Sequence, residues 1–469
     1  MKSHISILLL FVVTVSYSQD NEAKKEAPNF KFFRAEESYG YLKDKGQSEY
    51  QKEGFDALKF ISLSKNRNSY ASIGGEIRPR FEHFSNLKWD KNKDEDYYSQ
   101  RLALHTNFVF GKNIRVFGEL YSGYTSHRKK PVQYDEINLH QAFVEVIFPL
   151  VETQSLSFRF GRQEMGLGTT RLVGVREGPN IRRSFDASRV IYKSGSLTLQ
   201  AFYAKEVLPN FFPFDNDFTL FDSDVPNPSL WGIYSQFVLG GLPGNNEVYY
   251  LGFESNSSKY SDISGKEMRH TVGLRRFGDI GKRLSFNTEV MYQFGTLGSA
   301  TVSAFNIGTD TRYRLINTNW MPTFGLRLNW SSGDNNKGDD KLNTFNPLYV
   351  NPSFYGISAN IIPLNLFSIH PSISISPSEK WNIRMDWGIF WRASKDDGLY
   401  ALPRFLVRED DGITDKNIGN QFGLSSSYQV NRHLSLKLNM SYFIAGGYLE
   451  ESGTSDNIFH FAPTVTFKF

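Results

Sequence analysis

The sequence predicts an all-β protein, a transmembrane antiparallel β-barrel of about 18 strands with short periplasmic turns and long extracellular loops. Three observations predict it. In the last strand Phe459, Phe461, Pro463, Val465, Phe467 and Phe469 fall on one face, opposite Ile458, His460, Ala462, Thr464, Thr466 and Lys468. One greasy and one wet face suits a wall between lipid and water. The N-terminus reads as an export signal. Between the two, strand-like runs are joined by connections that alternate between short and long.

The signal occupies residues 1–18: Lys2, an apolar run over 5–15, then Ser16-Tyr17-Ser18, whose small residues predict cleavage before Gln19. The run is shorter than the roughly 20 residues of a spanning helix. No later stretch is long and apolar enough for one either, so membrane embedding must be through strands. The predicted location is the Gram-negative outer membrane, with lipids and lipopolysaccharide around the wall. The barrel-assembly machinery would engage the C-terminal strand.

Composition agrees with that address. The chain has no cysteine, which excludes a lipidated N-terminal Cys, a disulfide scaffold, a thiol nucleophile and thiolate metal sites. A hydrophobic content of 40% and a mean hydropathy of -0.41 look soluble, but barrels share this range because lipid-facing residues alternate with polar ones. The 40 Phe and 24 Tyr fit aromatic girdles at two interfaces. A formal charge of +4 is too small to imply a nucleic-acid partner.

Residues 19–68 are charged and partly helix-like (Glu36, Glu37, Lys43, Lys45, Glu49, Lys52, Glu53). They read as a periplasmic N-terminal segment, a solvated tail in preference to a small plug, and residues 69–469 as the barrel. Short links are expected at 111–113, 149–154, 193–196, 240–246, 278–283, 377–380 and 430–433. Longer polar segments fall at 85–98, 124–136, 164–186, 206–229, 256–268, 331–353, 393–417 and 446–456. Seventeen strands are plain in the sequence. A barrel with both ends in the periplasm needs an even number, and a weak strand near 302–314 restores the alternation. Sixteen is the other even count within reach.

Alternation also assigns faces. In 71–84, Ile73, Ile77 and Phe81 oppose Arg78, Arg80 and Glu82; in 99–110, Leu102, Leu104, Phe108 and Phe110 oppose Arg101, His105 and Asn107. In 155–163, Leu156, Phe158 and Phe160 oppose Ser157 and Arg159. Arg327 and Asn329 oppose Phe324, Leu326, Leu328 and Trp330, while Arg384, Asp386 and Arg392 oppose Ile383, Met385, Trp387, Ile389 and Trp391. A charge facing lipid at mid-depth costs roughly 2–4 kcal/mol, so these arginines face the lumen. Arg115, Arg189 and Arg275 join them. They could be paired across the lumen with Glu82, Glu119, Glu145, Glu289 and Asp386, holding the barrel's shape. Because these acids are fewer, a selectivity path in which guanidiniums contact carboxylates or phosphates is the preferred reading.

One stretch is specific: Arg159-Phe160-Gly161-Arg162-Gln163-Glu164, Gly168, Arg171-Leu172-Val173-Gly174, Arg183-Ser184-Phe185-Asp186 and Arg189. A second block holds Ser332-Gly333-Asp334, Asp339, Thr344-Phe345-Asn346-Pro347-Leu348 and Tyr355-Gly356, and Ile73 to Arg78 forms an opening strand. Together these resemble the alginate-export family of outer-membrane proteins over residues 70–469. The resemblance implies a monomeric barrel that passes anionic oligo- or polysaccharide. The carboxylate path would hold Arg78, Arg80, Arg101, Arg159, Arg189, Arg327 and Arg384, with Arg162, Arg171, Arg275 and Arg392 as further candidates. Asp186 would pair with neighbouring arginines, and loops 164–186 and 331–353 would fold inward. A general or oligosaccharide uptake porin of the same fold is the alternative.

Other chemistry finds little support. Nine scattered histidines offer no close pair at zinc spacing. Asp334, Asp339 and Asp340 are a weak calcium candidate beside the plainer reading of a solvated acidic loop. An outer-membrane hydrolase would need a nucleophile beside His105, His140 or His370, and no Gly-x-Ser-x-Gly accompanies them. An adhesin would keep the lumen merely structural. The expectation is a channel with no catalytic residue and no cofactor.

Overall fold

The computed structural model describes residues 27–44, 50–51, 53–222 and 225–469. The predicted signal peptide lies outside them. The wall begins with β1 (Tyr70–Phe84), β2 (Glu95–Phe110), β3 (Ile114–Thr125), β4 (Asp135–Val151), β5 (Gln154–Gln163) and β6 (Phe185–Ser194). It continues through β7 (Leu197–Glu206), β8 (Ser229–Phe237), β9 (Asn245–Lys259), β10 (Ser264–Ile280), β11 (Leu284–Leu297) and β12 (Ala300–Arg314). The last third is β13 (Thr323–Ser331), β14 (Leu366–Ser378), β15 (Trp381–Arg392), β16 (Asn417–Gln429), β17 (Leu434–Ala445) and β18 (Ile458–Lys468). Each strand pairs antiparallel with the next, and β18 returns to β1 with Lys468 opposite Glu76 and His460 opposite Phe84. Closure removes the edges that an open sheet would expose to lipid.

The expected face assignments hold. Leu104 is 48% exposed while Arg101, between the other inward residues of the same strand, is fully buried. Phe158 and Phe160 on β5, Leu326 and Trp330 on β13, and Met385 and Trp387 on β15 are likewise exposed. These are lipid-facing positions, where apolar exposure carries no cost. The weak strand near 302–314 is present as β12, joined to β11 by a tight turn with Leu297 opposite Ala300. Gly298 sits there at φ 56°, the first central position of a type II′ turn. The long loop expected over 256–268 is absent: β9 and β10 extend through most of it and leave 260–263 as the link.

Two long loops fold into the barrel. Met165, Leu167, Leu172 and Val173 from the β5–β6 loop, and Phe345, Leu348 and Tyr349 from the β13–β14 loop, share a buried core with inward Phe185, Phe202, Leu230, Phe253 and Met291. The loops join where Val173 bridges Tyr349, with Gly174 N donating to Tyr349 O at 3.0 Å and Tyr349 N to Leu172 O at 2.7 Å. At the outer rim Asp397 ties the β13–β14 loop to the β15–β16 loop. It accepts from Asp334 N at 2.9 Å, Thr344 Oγ1 at 2.6 Å and Tyr400 OH at 2.7 Å.

The N-terminal segment differs from the solvated tail expected of it. Arg34, Ala35, Tyr39 and Lys59 are buried against the barrel. Ile61 and Ser62 pair with Ala71 and Tyr70, on the part of the β1 edge below the reach of β18. Charged sequence without periodicity looked solvated, but the wall supplies partners for Arg34, Glu53 and Lys59.

Candidate functional site

The inward arginines sort into groups by what holds them. On β1 and β2 they brace the β5–β6 loop. Arg78 donates to the carbonyls of Glu177 at 2.8 Å and Pro179 at 2.8 Å, and Arg80 to Gly178 O at 2.8 Å. Arg101 donates to Asn180 O at 2.6 Å and Pro179 O at 2.8 Å, and pairs with Glu177 at 2.9 Å and Glu76 at 3.2 Å. Enclosure inside the barrel raises the Glu177 carboxyl, but Arg101, Arg182 and Arg78 outweigh it and hold it well below the usual range.

Five further candidates are also struts. Arg162 grips Asp186 through Nε at 2.8 Å and Nη2 at 3.2 Å, and reaches Asn216 O and Asp217 O of the β7–β8 loop. Asp186 accepts from Thr219 N of the same loop at 2.8 Å. Arg171 donates to Asn329 Oδ1 at 2.6 Å and lies over Gly308 of β12, where any side chain would strike its guanidinium. Arg327 holds Phe354 O at 2.6 Å, and Arg275 pairs with Glu247 at 2.7 Å. Arg392 spends its donors on the carbonyls of Lys395, Asp397, Ile413 and Asp415. Arg101, Arg162, Arg171 and Arg392, at 5% exposure or less, are placed as loop supports rather than at a solute-facing surface.

A different arrangement sits on β3 to β6. Glu145 pairs with Arg115 at 2.8 Å and with Arg159 at 3.1 Å. Arg189 stands directly across from Arg159 in the β5–β6 ladder. Its donors go to neutral amides, Gln163 Oε1 at 3.2 Å and Gln200 Oε1 at 2.6 Å. Among the described residues no carboxylate lies within ion-pair distance of Arg189. Two guanidiniums thus share one carboxylate, and a third stands across the ladder from one of them with only amide partners. Arg384, 3.7 Å from Asp386, keeps 23% of its side chain exposed and is a second reachable cation.

The cation candidate fares differently. Asp334 is buried, with Oδ1 accepting from Asn335 N and Asn343 N, while Asp339 and Asp340 are exposed. Among the described residues the acid and imidazole groups that converge are instead Glu119, His140 and Glu164, with ligand atoms within 4.8 Å of one another. His140 Nε2 lies 2.9 Å from Glu164 Oε1, which also pairs with Arg182 at 3.0 Å, and Gln141 donates to Glu119 at 2.7 Å. Burial pushes Glu164 up to about 7 against the pull of Arg182. With a guanidinium already seated on Glu164, the trio works as a hydrogen-bonded footing for the inward loop. It joins residues of β3, β4 and the loop after β5, a spacing that no local motif betrays. Glu177 and Arg182 were missed for the same reason.

The family model described as alginate export matches residues 69–462. No curated protein matches the sequence. Among solved structures, Pseudomonas aeruginosa OpdO is 10% identical with a TM-score of 0.55, covering 85% of this chain and 97% of its own. Pseudomonas aeruginosa OccK2 (OpdF) in complex with glucuronate is 13% identical with a TM-score of 0.53, covering 89% and 99%. A BenF-like porin from Pseudomonas fluorescens Pf-5 is 10% identical with a TM-score of 0.55, covering 85% and 98%. At such identities the shared feature is the barrel fold.

Proposed function

This chain belongs to the alginate-export family of outer-membrane β-barrels, and from that premise we propose that it is a passive, anion-favouring channel for sugar acids or anionic oligosaccharides. Membership makes it an outer-membrane channel and not an enzyme. The observation that carries the anionic reading is the Arg115–Arg159–Arg189 cluster, in which Glu145 pairs with the first two and Arg189 has only neutral amide partners. A guanidinium presents a planar fork to a carboxylate, and amide partners release it at low cost. Weak, exchangeable contacts suit conduction, because a cargo bound tightly would not leave. The glucuronate in complex with the OccK2 barrel is a sugar acid of the same chemical class.

The reading carries several parts with it. Residues 1–18 direct export, residues 19–68 lie on the periplasmic side, the barrel-assembly machinery inserts the chain through β18, and a single chain makes the pore. The test is single-channel conductance in a planar bilayer with a galacturonate trimer added from either side. An anion-selective current blocked by the trimer is expected; a cation-selective current indifferent to it would overturn the proposal.

A further inference from the structure

The segment at residues 27–44 lies against the same cluster. Arg115 Nη1 donates to Ala35 O, and Ala35 packs on inward Phe117 and Phe143 of β3 and β4. Glu36 follows directly and is exposed, one residue beyond the carbonyl that Arg115 holds. On one side Arg34 donates to Gly75 O at 3.2 Å and Phe469 O at 3.0 Å. On the other, Arg182 donates to Phe32 O at 3.2 Å with its guanidinium 4.3 Å from the Phe32 ring. Arg432, in the short turn between β16 and β17, stands 4.4 Å over the Phe30 ring. The segment therefore runs from the short-turn end of the seam to the inward β5–β6 loop, passing beneath the arginine cluster.

How it is held matters as much as where it lies. Among the described residues, the backbone hydrogen bonds of 27–44 are local, such as Glu36 N to Phe33 O and Leu42 N to Tyr39 O. Its ties to the wall run through side chains. A segment without ladder bonds can leave while the wall stays intact.

We propose that residues 27–44 are an internal ligand of the lumen: Ala35 O is held by Arg115 with the exposed Glu36 carboxylate tethered beside the arginine cluster, and the segment stoppers the short-turn mouth until an anionic cargo competes for the same guanidiniums. The competition rests on the anionic reading given above; the stoppering does not. Tethering gives Glu36 a high effective concentration at the cluster, so a monovalent acid competes poorly and an oligouronate, with several carboxylates, competes well.

The test compares three mature chains in planar bilayers. In the first, residues 27–44 are deleted; in the second, Glu36→Gln; in the third, A35C and F117C are combined in a chain with no other cysteine. The deletion is expected to raise mean conductance several-fold while keeping anion preference. Glu36→Gln raises open probability by about two- to fivefold, the size of an exposed charge contact. The oxidised cysteine pair holds the channel in its low state against the galacturonate trimer, and reductant restores the response. That readout uses the full chain, so it decides the matter if the deletion does not fold. Unchanged conductance in a folded deletion chain, or a cysteine pair indifferent to reductant, overturns the stopper. A deletion that opens a current without anion preference keeps the stopper and overturns the anionic path.

Discussion

The charge count of the cluster gives a graded experiment. Arg115, Arg159 and Arg189 carry three positive charges and Glu145 one negative, so the formal total is 3 − 1, or +2. Arg189→Gln lowers it to +1. Adding Arg159→Gln leaves a neutral Arg115–Glu145 pair at 2.8 Å. Glu145→Gln moves the total the other way, to +3. A unit charge about 4 Å from a passing carboxylate is worth about 1 kcal/mol in water and about 4 kcal/mol at a surface-like dielectric. A wetted lumen sits near the lower figure, so each charge removed lowers the anion-to-cation permeability ratio about fivefold. Arg159→Gln alone has a smaller effect, because it frees Glu145 for Arg115. Reversal potentials across a KCl gradient measure the ratio, and the differences shrink at about 1 M salt, where the screening length is about 3 Å. The order of anion preference expected is Glu145→Gln, then wild type, then Arg189→Gln, then the double variant. Equal reversal potentials in all four, or a fall in Glu145→Gln, would refute the reasoning.

Three more predictions concern the supports and the stopper. Asp186→Ala strands buried Arg162 without its counter-ion, costing about 3–5 kcal/mol. It also cuts the tie to Thr219, so the urea midpoint in vesicles falls and protease cuts within 207–222; an unchanged midpoint would count against the strut. Gly308→Val drives Arg171 from its seat on β12 and loosens the joined loops, which raises conductance, whereas an unchanged current would mean the loops hold without Arg171. Lys59, hydrogen-bonded to Ile73 O at 2.9 Å, is pushed down to about 7 by burial and by Arg34, with Glu37 opposing, Arg432 adding and Glu53 opposing. His105 and the rings of Phe30, Tyr39 and Phe469 complete its surroundings. When residues 27–44 leave, Lys59 loses Phe30, Arg34, Glu37 and Tyr39 and titrates nearer its ordinary value, so between about 7 and that value the docked state binds fewer protons and docking strengthens with pH by at most about 1.4 kcal/mol per unit. Below about 7 the dependence vanishes. Open probability should fall on going from pH about 7 to about 9 and stay level in Lys59→Met; a rise in the wild type would reverse the assigned sign.

The wall was legible because its physics is local. Alternation at period two placed Arg78, Arg101, Arg159 and Arg327 inside and Ile77, Leu104, Phe160 and Leu326 outside, and parity required a strand where β12 is found. What lies inside the wall was not legible. Arg101 looks the same in sequence as Arg189, yet the first is taken by Glu177 and Pro179 of a loop far along the chain and the second meets two glutamines. No periodicity marks Glu36, whose charge matters only because Ala35 docks on Arg115. The Glu119–His140–Glu164 footing has the same character, since its members are neighbours only once β3 and β4 pair and the chain turns inward after Gln163.

The count of inward arginines against inward acids was therefore the wrong quantity for judging selectivity. Carbonyl oxygens of the inward loops absorb guanidinium donors as effectively as carboxylates do, and they leave the positive charge in place but out of reach, as at Arg392. A charge so buried still adds to the field of the lumen, yet it cannot exchange partners with a passing anion. Selectivity by contact requires a guanidinium whose partners are weak enough to give up. Arg189 meets that condition with two neutral acceptors, and Arg159 meets it in part through a carboxylate it already shares with Arg115. If the cluster selects, substitution of Arg189 must weaken block by the trimer and anion preference together, whereas substitution of a strut such as Arg162 must first be felt in stability.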